Sequence, residues 1–138
     1  MKKLIQKPYL FFFGFMPILL FIGLFFKSKT INIAYYGGIF PISFWSLCLV
    51  STFFFLLIGC NYIALKWFDK EPKKTLTIIH FSLQILSFGL LLYVLKISEK
   101  NLDLDVVSFL FLISFLIFLL SVFVHFINFI ASIFLKKE

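Results

Sequence analysis

The sequence predicts an all-α, polytopic integral membrane protein: an antiparallel bundle of four transmembrane helices with both termini on the cytoplasmic side. Three observations lead there. Of 138 residues, 62% are hydrophobic and only 14% charged, far from the balance of a water-soluble domain. Four apolar stretches, at about 9–26, 42–65, 75–95 and 106–135, are each long enough to cross a hydrocarbon layer of roughly 30 Å. All 13 basic residues are lysines, and they flank these stretches unevenly. Lys2, Lys3, Lys7, Lys66, Lys70, Lys73, Lys74, Lys136 and Lys137 fall on one side, against Lys27, Lys29, Lys96 and Lys100 on the other. The lysine-rich side is expected to be cytoplasmic. One domain over 1–138 accounts for the whole chain, and the Phe, Ile and Lys bias suits a bacterial inner-membrane protein.

The first stretch follows a basic start, as a secretory signal would. It runs on to Phe26 and meets Lys27-Ser28-Lys29 instead of a small-residue cleavage site, so a retained first transmembrane helix is expected. Pro17 near its middle predicts a kink, and Gly14 and Gly23 would let a neighbouring helix come close. Residues 27–41 read as a loop with Tyr35-Tyr36-Gly37-Gly38 as an interfacial turn, and Pro41 as a helix start. Two short charged loops, 66–74 and 96–105, separate the later spans. Asp103 and Asp105 are expected to solvate the second of these. The fourth stretch, of 30 residues, must tilt or extend beyond the lipid.

The third span, Thr75 to Leu95, carries the main functional signal. Thr77, His80, Gln84 and Ser87 are spaced 3, 4 and 3 apart and so share one helix face. The fourth span has its own stripe of Ser114, Ser121, His125, Asn128 and Ser132. Lipid offers such residues no hydrogen-bond partner, so the two stripes should meet in one interhelical polar seam of His80, Gln84, Ser87, Ser121, His125 and Asn128. Depth counted from the lysine-rich ends sets Ser87 opposite Ser121 and His80 near Asn128. The serines are expected to bond carbonyls within their own helices.

Several function classes lack their residues. Without arginine, bidentate recognition of phosphate is missing, so the net charge of +7 reads as topogenic and not as a nucleic-acid site. No span contains Asp or Glu, which weakens a pump or ion relay. Cys48 and Cys60, about 18 Å apart along a helix, cannot pair and read as small packing residues. Two histidines with two distant cysteines do not make a metal site, and no catalytic constellation is visible. Bis-histidine ligation of haem b by His80 and His125 is the cofactor alternative, opposed by their offset in depth and by the lack of arginine for the propionates. Otherwise no cofactor is expected.

Ile31-Asn32-Ile33 followed by Ile39 to Leu47, then Ile58-Gly59-Cys60-Asn61-Tyr62, then Ile79-His80-Phe81-Ser82, resembles the family stretches HDTYFVVAHFHY, AGFYY and KIHFW in order. These belong to subunit I of the haem–copper (cytochrome c) oxidases, and four spans with both termini inside would match its last four helices. The resemblance covers about residues 31–93. The family's haem-ligating histidines fall on Phe44 and Ser46, or on Ser43 and Trp45, and its non-redox metal motif falls on Ala34, Tyr35 and Tyr36 or on the two glycines Gly37 and Gly38. Only His80 is kept, and in the family it is not a haem ligand. The resemblance therefore implies the scaffold without its redox centres. Together these readings lead to a non-catalytic accessory or assembly component of a larger membrane complex, such as a respiratory oxidase. Its expected partners are lipid and other membrane subunits. The alternatives are a haem b electron carrier and a membrane immunity protein that binds a toxin.

Overall fold

The computed structural model describes residues 7–99 and 103–134 and contains four long helices and one β-hairpin. Helix α1 is Pro8–Phe25; strands β1 and β2 are Thr30–Tyr35 and Gly38–Ser43. Helices α2, α3 and α4 are Phe44–Trp67, Lys74–Ser98 and Leu104–Phe134. All four helices are long and apolar enough to span a membrane. Their outward faces carry unpaired bulk such as Phe21, Phe109 and Phe123, each more than 60% exposed. Such faces suit lipid, not water. Lys2, Lys3, Lys100, Lys136 and Lys137, on which the expected orientation partly rests, and Leu135 at the end of the fourth span lie outside the described residues.

The expectation of an all-α chain needs correcting at residues 30–43. These form an antiparallel hairpin with Thr30 opposite Ser43 and Tyr35 opposite Gly38. Tyr36 and Gly37 both have positive φ (46° and 76°), the requirement of a type I′ turn, whose twist matches that of the strands it joins. Pro41 is not a helix start but a strand residue, opposite Asn32. Bonded pairs alternate along an antiparallel ladder, and Phe44 N–H donates to the Lys29 carbonyl at 3.1 Å just beyond the last pair. Counting back from there, Pro41 falls at a non-bonded position, where its missing N–H costs nothing. Helix α2 accordingly starts at Phe44, two residues later than expected, with the Ser43 hydroxyl accepting from Ser46 N–H at 3.5 Å.

The hairpin closes one end of the bundle. Ile31 is fully buried in an apolar cluster with Phe44, Cys48, Val94, Leu95 and Val107. Ala34 N–H donates to the Ser108 hydroxyl at 2.8 Å, and Lys29 pairs with Glu99 at 2.9 Å. That ion pair is largely exposed and is worth at most about 1 kcal/mol. At the opposite end, α2 stops with Asp69 in the left-handed region (φ 52°) and Lys70 N–H donating to the Leu65 carbonyl, a Schellman-type closure.

Helix α1 packs antiparallel on α2, and α3 on α4; contacts between the two pairs are sparser. In the first pair the backbones close on Gly23, where an added Cβ would lie 2.7 Å from Cys48 Cβ and 2.7 Å from the Trp45 ring. Gly14, also expected at a contact, has nothing within 4 Å and faces outward. Helix α1 runs unbroken through Pro17. Of the cysteines, Cys48 is buried as expected, but Cys60 is exposed.

Candidate functional site: the polar seam and its histidine pair

Helices α3 and α4 bury their polar residues and expose their apolar ones. On α3 the buried residues include Thr77, His80, Gln84 and Ser87; on α4 they include Ser114, Ser121, His125, Asn128 and Ser132. Spacings of three, four and seven keep both stripes on one helix face in a heptad-like seam. The two stripes face each other between α3 and α4, and His125 is 1% exposed.

Their register differs from expectation. Ser87 meets Ser114 and not Ser121: each hydroxyl donates to the other residue's main-chain carbonyl at 2.9 Å. His80 meets Ser121 and not Asn128, with Nδ1–H donating to the Ser121 carbonyl at 2.8 Å. The Ser121 hydroxyl lies 2.9 Å from Gln84 Oε1 and 3.2 Å from the His80 carbonyl. Asn128 pairs with Thr77, donating to its hydroxyl at 2.9 Å, while its Oδ1 accepts from Lys73 N–H at 2.9 Å. The error came from counting depth at the open ends. Few residues separate Ser98 from Leu104, so the helices are joined near the hairpin end and the extra length of α4 accumulates at the other end. The serines also depart from expectation, since Ser87, Ser114 and Ser121 bond across helices. Only Ser132, of the seam serines, bonds its own helix, at the Asn128 carbonyl.

The reciprocal serine pair should be measurable by itself. In a double-mutant cycle with Ser87→Ala and Ser114→Ala, read by reversible unfolding in mixed micelles, each substitution removes one hydroxyl donor and leaves the other bond. Each is therefore expected to cost about 1 kcal/mol, and the two losses to add. That lies within the roughly 0.6–1.7 kcal/mol range for intramembrane hydrogen bonds. A strong coupling between the two would show that the hydroxyls bond each other instead of the facing carbonyls.

Two residues of the first helix pair complete the site, and neither was singled out from the sequence as part of it. Asn61 of α2 places its amide nitrogen 3.2 Å from His125 Nε2, and Tyr62 sets its ring against His125 with centroids 4.9 Å apart. A lone asparagine inside an apolar run was the available signal. Phe12 of α1 packs on His80 at 5.1 Å and on Tyr62 at 5.7 Å, closing the seam against the first pair.

The two imidazoles end up neighbours, with centroids 5.3 Å apart and planes tilted by 38°. His80 Nε2 and His125 Nδ1 are buried without a hydrogen-bond partner. Each such orphan costs about 1–3 kcal/mol relative to a satisfied group. As placed, the two rings stand closer than a haem iron ligated by both would hold them. Metal–nitrogen bonds of roughly 2 Å on opposite sides of an iron put the ring centroids roughly 6 Å apart, with a broad macrocycle between. Here the rings are closer than that, and Phe12, Tyr62 and Phe129 already pack against them. Among the described residues no group of three or more His, Cys, Asp or Glu comes together.

No family model, curated protein or solved structure matches this chain. What it does must be argued from its own geometry.

A second feature adjoins the seam. Between α2 and the α3–α4 pair lies a groove with a cavity volume of about 90 Å³. Leu47, Phe55, Phe88, Phe111 and Phe118 form its walls, and Gln84, Ser87 and Ser114 contribute the polar part of its lining. The two serines bond each other, and Gln84 Oε1 is taken by Ser121, whereas the Gln84 amide nitrogen has no partner among the described residues.

Proposed function

We propose that the protein is a non-catalytic membrane subunit that takes a partner's transmembrane segment into the groove beside α2, as an accessory or assembly component of a larger membrane complex. The carrying observation is the contrast between seam and groove. The seam holds α3 to α4 with reciprocal bonds that need no partner. The groove has aromatic walls and an amide donor that lipid tails cannot satisfy, but a hydroxyl or freed carbonyl of another helix can. The oxidase resemblance makes a respiratory oxidase the first partner to test, and the lysine distribution supports an inner-membrane setting with cytoplasmic termini.

Photo-crosslinkable residues at Ser51, Leu91 and Phe118 in the groove, compared with Phe109 and Ile130 on outward faces, test this in the native membrane. The expected result is one discrete protein adduct from the groove positions only. Lipid adducts alone, or equal labelling from all faces, would remove the reading. A toxin as the captured protein would replace it with the immunity alternative, and a haem absorption band in the purified protein would replace it with the electron carrier.

A further inference from the structure

His80 Nε2 and His125 Nδ1 are the two buried side-chain atoms without a hydrogen-bond partner among the described residues, and they belong to adjacent rings. Their protonation follows from the partners of the other two ring nitrogens. A carbonyl only accepts, so the 2.8 Å bond to Ser121 puts the neutral His80 proton on Nδ1 and leaves Nε2 a bare acceptor. Asn61 donates its amide N–H to His125 Nε2, which puts the His125 proton on Nδ1. The unpartnered pair is therefore one donor and one acceptor, side by side where the polar seam meets the rings of Phe12, Tyr62 and Phe129. Neither atom finds the other within bonding distance.

We infer that His80 and His125 enclose a binding site for a single water molecule, which accepts from His125 Nδ1–H and donates to His80 Nε2. An oxygen about 2.9 Å from each nitrogen satisfies both atoms and is held by two neutral partners, the lower end of what a buried water needs. The water completes a chain from Asn61 on α2 through His125 on α4 to His80 on α3 and back to the Ser121 carbonyl on α4. That chain ties the first helix pair to the second beside the Phe12–His80 and Tyr62–His125 ring contacts. Both histidines lie nearer the helix ends opposite the hairpin. There a polar cavity bordered by Lys7, Tyr9, Lys66 and Lys70 reaches Tyr62, whose ring touches His125. Toward the hairpin the bundle is closed by the apolar cluster around Ile31 and Val94.

Nitrogen-15 NMR of histidine-labelled full-length protein in lipid nanodiscs tests this without any substitution. The expected spectrum has both histidines neutral, both protonated at Nδ1, and a water cross-peak on His125 Nδ1–H. In Asn61→Ala the His125 signal should become a mixture of tautomers and the cross-peak should weaken several-fold, while the His80 signal stays in place. Three results overturn the proposal: His125 protonated at Nε2 in the unsubstituted protein, a direct nitrogen–nitrogen coupling between the rings with no water cross-peak, or a stoichiometric metal ion in the purified protein.

Discussion

Replacing Asn128 with leucine should destabilise the bundle by about 2–4 kcal/mol, the largest loss expected from any one seam residue. Asn128 is fully buried, and its side chain does three things at once. Its Oδ1 accepts from the main-chain N–H of Lys73, at the very start of α3, and its Nδ2 donates to Thr77 and reaches Tyr62 at 3.5 Å. The Lys73 bond fixes the amide orientation, because a main-chain N–H can only donate. Leucine keeps the branched heavy-atom skeleton but is bulkier at its two methyl groups, so the substitution removes the bonds and adds some crowding. Individual intramembrane bonds are worth roughly 0.6–1.7 kcal/mol, and stranding a buried donor adds about 1–3 kcal/mol. Thr77→Val is the control. It removes one partner of Asn128 but leaves the Lys73 bond, and about 1 kcal/mol is expected. Reversible unfolding in mixed micelles measures both. Equal losses from the two variants would show that the Lys73 contact contributes nothing.

Asn128 also marks where sequence reasoning succeeds and where it stops. That Asn128 and His125 face inward follows from the cost of a bare polar group in hydrocarbon, which applies whatever the partner. The partner's identity depends on axial register, which periodicity leaves open, because sliding two heptad stripes by seven residues restores the same faces. The correct register was available from the short link after Ser98, had depth been counted from the joined ends. The β-hairpin was legible too, since Thr30-Ile31-Asn32-Ile33 alternates with period two before Tyr35-Tyr36-Gly37-Gly38. Its strands are hard to tell from loop because the flanking spans dominate the hydrophobic signal. Asn61 was legible as an oddity in an apolar run, but its meeting with His125 was not, because it depends on how two helix pairs dock.

That docking within the first pair can be tested at Gly23. Alanine there is expected to destabilise the protein by about 1–3 kcal/mol, the usual cost of forcing extra volume into a closed contact. The clash is with Cys48 Cβ at 2.7 Å, an atom fixed to the α2 backbone, so rotation of a side chain cannot relieve it and the helices must separate. Movement of α2 would in turn carry Asn61 away from His125 and enlarge the groove lined by Leu47 and Phe55. Gly14 and Gly89 give an internal comparison. Neither has any atom within 4 Å of an added Cβ, both face outward, and both lie inside helices. Alanine there should be neutral or stabilising by up to about 1 kcal/mol, since glycine is the poorer helix former. The test is therefore the sign of the difference under one set of unfolding conditions, not an absolute stability. If Gly23→Ala behaved like Gly14→Ala, α1 and α2 could not be as close as 2.7 Å implies, and the sparse contact between the helix pairs would lose its fixed reference.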